Sequence, residues 1–291
     1  MTNTYENQDQ EIQESDRKNY EILSEIKEGI YDNLNKLTTI TPEIAEIICR
    51  YEGQLDLHSL EMIPDEAMYY LAQYKKVLYL PKIKAFSIQG LEYLSHHDNS
   101  LLLTGIKHLT KEQAGVLKQH KKHLTIGLDN IDEEVAVELS QHEGDLELYD
   151  LKEIDQKTAE AFSKHNGTLT LGLNSLTSEV ALFLAPHKGP LKLDLEYIDD
   201  ESMKNLAKHI GVMYLNELKE LSEGSAKYLA EYHEGEIYVS RLMTITDKVA
   251  KILVNHKGKI HASSSGDVET KIFNNIKEDD SLSDIFNLTQ E

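Results

Sequence analysis

Residues 146–171 read LELYDLKEIDQKTAEAFSKHNGTLTL and contain one complete unit of a repeat with the start of the next. Leu146 and Leu148 form a Leu-x-Leu step, and Leu169 and Leu171 form the same step 23 residues later. Such steps recur at intervals of 22 to 24 residues, with first residues Leu55, Leu78, Leu101, Leu124, Leu146, Leu169, Leu191, Met213, Ile237 and Ile260. This period predicts a solenoid, because so short a unit buries its apolar side only by stacking on its neighbours.

Each unit also carries a predicted helix start. In the quoted unit Asp155 follows Ile154, and its carboxylate can accept a hydrogen bond from a free N–H group in the first turn of a helix. Pro64 holds this position in one unit, and the others carry capping residues, namely Thr41, Ser87, Thr110, Asp132, Asp155, Thr177, Asp199, Ser222 and Thr246. The pattern therefore predicts one helix after every Leu-x-Leu step.

Inside each predicted helix, two apolar residues three positions apart form one buried stripe, as Ala159 and Phe162 do. His165 stands three residues after Phe162, and Gly167 follows two residues later. We predict helices of about three turns that end where glycine accepts a positive φ angle.

Seven of the thirteen histidines share one column at the helix end: His97, His120, His142, His165, His187, His209 and His256. A histidine there can donate to the last helical carbonyls. In a stacked array the rings would lie about 5 Å apart, one strand spacing. We interpret the column as structural rather than as a metal array, because no third ligand stands at a recognisable spacing.

The segments Leu169-x-Leu171-x-x-Asn174-x-Leu176 and Ala181-x-x-Leu184-Ala185 resemble leucine-rich repeats of the GALA and ribonuclease-inhibitor-like subtypes. The resemblance covers roughly residues 32–263. It implies an α/β right-handed solenoid, or horseshoe, with a parallel β-sheet on the concave face and short helices on the convex face. Most units carry Leu or Ile where the family has Asn, so apolar packing would largely replace the family's asparagine ladder.

The predicted organisation has three parts. Residues 1–31 form an acidic N-terminal tail and a capping helix, with the first fifteen or so residues disordered and the helical spacing starting at Tyr20. Residues 32–263 hold ten to eleven repeats. Residues 264–291 form an acidic C-terminal cap or tail, which is either a covering helix pair or a short segment that docks on a partner.

The composition argues against several partners. The formal charge is −21, and neither the tails nor the repeat body offer the basic surface that phosphate contacts require. We therefore expect no nucleic acid and no membrane partner. No stretch predicts a membrane span or a signal peptide, and Cys49 is the only cysteine. We therefore expect a monomeric cytoplasmic protein, while delivery into a host cell stays an open alternative.

The sequence offers little catalytic chemistry. Neither a phosphate-binding loop nor a nucleophile elbow is present, and the candidate ligand groups His96-His97-Asp98 and His120-x-x-His123 lack a further partner at a recognisable spacing. We predict no catalytic residues, no cofactor and no metal, and therefore a protein that is not an enzyme.

Strand alternation predicts the binding surface, since the residues beside the two core leucines of each step point to the concave face. The candidate partner-binding residues are Tyr79, Glu147, Tyr149, Lys192, Asp194, Tyr214, Asn216 and Tyr238. We predict a non-catalytic scaffold that binds a protein partner there. The alternatives are an effector or immunity-type protein whose acidic surface and tails occupy a basic target, an enzyme that uses the tyrosines, and a merely solvated sheet face.

Overall fold

The computed structural model describes residues 3–231, 235–242, 245–253, 255–256 and 258–262, with the backbone alone for residues 3–13 and 16. The chain divides into two compact units, residues 1–128 and 129–291. Each unit repeats the order of strand, loop and helix that the sequence predicts.

The first unit begins with helices and continues as strand–helix repeats. Its strands pair in parallel, with Leu78 opposite Leu101 and Leu101 opposite Leu124. The elements are α1 (Asn3–Lys27), a 3-10 turn (Leu34–Lys36), α2 (Pro42–Ile48), α3 (Asp65–Leu71), β1 (Leu78–Tyr79), α4 (Ile88–Ser95), β2 (Leu101–Leu103), α5 (Lys111–Leu117) and β3 (Leu124–Ile126).

The described residues of the second unit form six parallel strands, each paired with the next along the chain. The first residues of successive steps pair directly, for example Leu169 with Leu191. The elements are α6 (Glu133–Leu139), β4 (Leu146–Leu148), α7 (Gln156–Phe162), β5 (Leu169–Leu171), α8 (Ser178–Leu184), β6 (Leu191–Leu193), α9 (Asp200–Leu206), β7 (Met213–Tyr214), α10 (Glu223–Ala230), β8 (Ile237–Val239), α11 (Asp247–Leu253) and β9 (Ile260–Ala262).

The repeats are those of an α/β solenoid of the leucine-rich-repeat type, as predicted. Both apolar residues of each step are buried, as Leu146 and Leu148 are in β4. The apolar pair of each helix is buried as well, as Ala159 and Phe162 are in α7. The core of each unit therefore lies between its sheet and its row of helices.

The predicted helix caps are largely confirmed. Eight of the nine capping residues accept a hydrogen bond from the N–H group three positions ahead, as Asp155 Oδ1 does from Thr158 N at 2.8 Å. Asp132 makes no such bond, so α6 begins without a side-chain cap.

Helices α2 to α11 have seven or eight residues, about two turns rather than the three predicted. After α7 the N–H of Lys164 donates to Ala161 O and that of His165 to Phe162 O. These i to i−3 bonds tighten the last turn and direct the chain toward the next strand.

The glycines that follow the helices do not end them by a positive φ angle. Among the described residues, only Gly29 has a positive φ, at 84°. A Cβ atom on Gly189 would lie 2.2 Å from Gly167 O, and one on Gly167 would lie 2.4 Å from Gly144 O. Glycine is required here because the backbones of neighbouring repeats approach too closely for any side chain.

The step at Leu55 does not form a strand, although Leu55 and Leu57 are buried. Tyr74 holds the position that histidine holds in later repeats, and its longer side chain places Oη 2.6 Å from Gly53 O and 3.1 Å from Leu55 N. The Leu55 N–H therefore donates to a side chain instead of the next strand, so the first strand is β1.

The structure describes the helix before the first repeat but not the segment that follows the last strand. Ile22 and Ile26 of α1 are buried, and Lys27 of that helix pairs with Glu43 of α2 at 2.9 Å. Helix α1 begins at Asn3, so helical backbone covers most of the opening residues that the sequence predicts to be disordered. The predicted C-terminal cap or tail, residues 264–291, lies outside the described residues.

The histidine column is buried and stacked. In the second unit the rings of His142, His165, His187 and His209 follow one another at centroid separations of 5.9 to 6.3 Å with nearly parallel planes. The spacing is wider than the predicted strand separation. In the first unit His97 reaches the carbonyls of Ala72 at 3.2 Å and Lys76 at 3.0 Å, so it ties its repeat to the preceding one.

Candidate functional site

Seven of the eight predicted site residues lie in the second unit. Tyr79 lies in the first unit, where its side chain is exposed beside Leu102 of the next strand. In the second unit, the residues between or just after the two core positions of strands β4 to β9 form a surface that we call the open sheet face. Its middle row is Glu147, Thr170, Lys192, Tyr214, Tyr238 and His261.

Three aromatic rings of the middle row form a continuous stack. The rings of Tyr214 and Tyr238 lie 4.5 Å apart with 18° between their planes, and those of Tyr238 and His261 lie 4.1 Å apart with 7° between theirs. Strand register produces the stack, because each of these residues is paired directly with the next. Stacked rings present a rigid surface of large area.

Glu236 fixes the end of the stack. Its Oε2 accepts a hydrogen bond from Tyr238 Oη at 3.0 Å and lies 3.0 Å from His261 Nε2. These contacts, led by the Tyr238 hydrogen bond, lower the pKa of the Glu236 carboxyl. The pKa of Tyr238 is raised, chiefly by burial and secondly by its hydrogen bond to Glu236. Glu236 therefore stays ionised at neutral pH and holds both rings in place.

Lys192 covers the other end. Its Nζ lies 5.4 Å from the centroid of the Tyr214 ring, within the range of a cation–π contact. Among the described residues, the Tyr214 hydroxyl has no hydrogen-bond partner. Because the neighbouring groups occupy both faces of the ring, a partner would meet Tyr214 at its edge and its hydroxyl.

Tyr149 and Glu147 form a second group on β4 and just beyond it. Tyr149 Oη donates to Glu147 Oε1 at 2.9 Å, and Lys152 Nζ donates to the Tyr149 carbonyl at 2.9 Å. Burial, and after it the hydrogen bond to Glu147, raises the pKa of Tyr149 well above its ordinary value. The phenol is therefore neutral at physiological pH and unsuited to act as a general base.

Asp194 is a half-buried carboxylate on this face. Burial, and after it the negative charge of Glu217, raises the pKa of Asp194, while Lys152 opposes the shift. Asp194 makes no ion pair within the described part of the chain. A cation from a partner would stabilise the ionised form of Asp194 against both its desolvation and the repulsion by Glu217.

The side chain of Asn216 bonds to the next repeat. Its Oδ1 accepts from Ser240 Oγ at 2.9 Å and from Ser240 N at 3.2 Å. The carboxamide thereby joins the loop after β7 to the loop after β8. Only the carboxamide oxygen takes part in these two hydrogen bonds.

Sequence reasoning missed Glu236 and gave His261 no role in the site. Glu236 comes directly before the first residue of the step at Ile237, and strand alternation within the step gives no reason to assign that position to the site. A sequence pattern could have indicated both residues. A carboxylate directly precedes a step whose middle residue is Tyr, and the middle residue of the next step is His.

The described residues contain no group of three or more His, Cys, Asp or Glu side chains that could hold a metal ion. Likewise, none of the helices in the described part of the chain is long and apolar enough to cross a membrane. The arrangement on the open sheet face offers ring edges, hydroxyls and carboxylates at fixed positions, which is the chemistry of a contact surface.

Comparisons with known proteins give structural neighbours alone. No protein-family model matches the chain, and no curated protein matches it. A solved internalin (inlF) from Listeria monocytogenes superposes with a TM-score of 0.44 and 15% identity, covering 89% of this chain and 76% of the internalin chain. A chain of the Rad7 and Elc1 complex from yeast gives a TM-score of 0.35 and 14% identity, covering 90% of this chain and 92% of that chain. Since both TM-scores are below 0.5, the fold assignment rests on this chain's own repeat geometry.

Proposed function

We propose that this protein is a non-catalytic scaffold that binds a protein partner on the open sheet face of the second unit. The observation that supports this most directly is the stack of Tyr214, Tyr238 and His261, held by Glu236 at one end and Lys192 at the other. Tyrosines whose rotamers are already fixed lose little conformational entropy on binding, and they are frequent at the energetic centres of interfaces.

The open sheet face also carries groups that favour a partner with a basic or hydrogen-bonding surface. Asp194 and Glu147 are acidic, and the Tyr214 hydroxyl is free to pair. An extended sheet face of this kind suits a protein surface better than a small molecule, because it provides a broad area and no enclosing walls.

Affinity capture with the immobilised full chain tests this proposal. We expect the double variant Tyr214→Ala/Tyr238→Ala to bind the captured partner at least about thirtyfold more weakly than the unmodified chain. Tyr20→Ala is the matched control, because Tyr20 on α1 is exposed and far along the sequence from the stack. Circular dichroism of each variant verifies that the fold is retained.

The second candidate function makes the opposite prediction. A formal charge of −21 favours a protein whose acidic surface occupies a basic target. In that case capture would survive both tyrosine substitutions and would fall steeply with added salt. Capture that depends on salt but not on Tyr214 and Tyr238 would reject the scaffold proposal.

A further inference from the structure

A cleft lies in the first unit, whereas the aromatic stack belongs to the second. It has a volume of about 950 Å³ and is bordered by the strand-to-helix loops of three consecutive repeats. Two of these loops leave the carboxyl ends of β1 and β2. Crevices outside the carboxyl ends of parallel strands are common ligand sites in α/β folds.

The border of the cleft is basic, although the protein is acidic. Lys82, Lys84, Lys107 and His108 line it, and Glu61 is the one acidic residue among the lining side chains. Residues 75–123 contain nine lysines against three acidic residues, a net charge of +6 within a chain of −21. The charge balance of the whole chain therefore hides a local basic segment.

Two of these lysines are available to a ligand. Lys82 Nζ lies 4.0 Å from Glu61 Oε1, and both side chains are more than half exposed, so this ion pair contributes little. Lys84 is exposed and makes no ion pair with any described residue. An anion would therefore displace no strong contact on entering.

Part of the lining is apolar, namely Met62, Pro81 and Ala85. Met62 is 64% exposed, which is unusual for a large apolar side chain, and Pro81 and Ala85 lie near it along the same cleft. An apolar group placed against them would bury surface that is now in water, with a favourable free energy proportional to the area covered.

Close backbone packing fixes the floor of the cleft. A Cβ atom on Gly105 would lie 2.4 Å from Ile83 O and 2.6 Å from Pro81 O. The loop after β2 therefore rests directly on the backbone of the loop after β1. A site built on such packing is largely formed before a ligand arrives.

We propose that this cleft binds a short acidic peptide segment that carries one apolar anchor. The lysines would pair with the carboxylates, and Met62, Pro81 and Ala85 would cover the anchor. A single small anion would pair with the lysines but would leave the apolar part of the lining exposed to water. A long nucleic acid or an anionic membrane would extend beyond the basic segment onto acidic surface, where it would be repelled. The site is independent of the open sheet face.

Fluorescence anisotropy with the full chain tests the proposal. The probe is a short labelled peptide in which aspartates flank a central Leu-Phe pair. We expect Lys82→Glu/Lys84→Glu to weaken binding by at least about tenfold. The matched control, Lys164→Glu/Lys188→Glu, changes the net charge equally in the second unit and should stay within about twofold of the unmodified chain. Met62→Ser should weaken binding about fivefold.

The remaining outcomes overturn the proposal. Equal weakening by the two double variants would mean that only net charge matters. Undiminished binding of a peptide with serines in place of the Leu-Phe pair would mean that the site has no apolar component. If an oligonucleotide or anionic vesicles displace the probe as effectively as unlabelled peptide does, the ligand belongs to another class. That result would reject the peptide proposal. Failure of the unmodified chain to bind the probe would also reject the site.

Discussion

The Tyr214 and Tyr238 rings stack 4.5 Å apart because β7 and β8 pair in register, so that the middle residues of the two steps lie side by side. Each ring has a further neighbour, Lys192 for Tyr214 and His261 for Tyr238. Four successive strands thus contribute one contact group each to a single preorganised row.

The stack predicts energetic coupling between its members. In a double-mutant cycle of Tyr214→Ala and Tyr238→Ala, we expect a coupling free energy of about 0.5 to 1.5 kcal/mol, beyond the loss of buried area. Urea unfolding of the single and double variants measures it. Pairing Tyr238→Ala with Tyr20→Ala provides the control, which should be additive. Additivity in the first cycle as well would show that the rings do not stack in solution.

Tyr74 should stabilise the start of the repeat region through its hydroxyl. Tyr74→Phe leaves the buried N–H of Leu55 and the partly buried carbonyl of Gly53 without this partner, so we expect a loss of about 1 to 3 kcal/mol in the free energy of unfolding. Tyr20→Phe removes an exposed hydroxyl and should have almost no effect. Chemical denaturation compares the two, and equal stabilities would contradict the role assigned to the Tyr74 hydroxyl.

The histidine column predicts a loss of stability in acid. Burial, and after it the neighbouring rings of His165 and His209, lowers the pKa of His187 to about 4 from an ordinary value of 6.5. Burial is also the main cause of the lowered pKa values of His97, His165 and His209. The charged groups near His97 are Asp98 and Lys75, and Asp145 lies near His165.

Between the ordinary histidine pKa of 6.5 and the folded value of about 4 for His187, the unfolded chain binds more protons than the folded chain. The free energy of unfolding therefore falls as the pH falls from about 6.5 toward 4. For His187 alone the loss at pH 5 is about 2 kcal/mol. The capping residues Asp155 and Asp199, whose pKa values are lowered, lose their contribution only at more acidic pH. Urea unfolding at about pH 7 and pH 5 measures the effect. His187→Gln should reduce the pH slope, whereas His96→Gln, on an exposed side chain, should not.

Gly172 should tolerate no side chain. A Cβ atom there would lie 1.7 Å from Tyr149 O, in the backbone of the preceding repeat. We expect Gly172→Ala to destabilise the protein by about 1 to 3 kcal/mol and to displace Tyr149 on the open sheet face. Gly90→Ala in α4 is the control, because helix propensity favours alanine and its nearest contact is the flexible Asp65 carboxylate at 3.0 Å. Thermal unfolding distinguishes the two variants, and matching melting temperatures would refute the close approach.

Local features of the repeat were predictable because they depend on residues close together in the sequence. Asp155 caps α7 through an N–H group three residues away, and the burial of Ala159 with Phe162 follows from helical spacing. The Leu55 step could not be assigned in this way. Its core leucines match those of every other unit, and the absence of a strand depends on a hydroxyl nineteen residues away.

The same limit applied to the candidate site. Strand alternation predicts that Tyr214 and Tyr238 face outward, and their equivalent positions in successive repeats predict that they are neighbours. It gave no reason to distinguish Asn216, which joins two loops, from Asp194, which has no partner among the described residues. The basic cleft was also hidden, because lysines from separate loops meet only when the repeats stack.

The sequence by itself determined the period, the alternation of strand and helix, and which side of each element is buried, since these depend on the spacing of apolar residues along one segment. Only the tertiary structure decided which neighbouring units pair as strands, why the inter-repeat glycines are needed, and which polar side chains meet at Glu236. Those outcomes depend on distances of a few ångströms between backbones and side chains of different repeats, and such distances are set by packing.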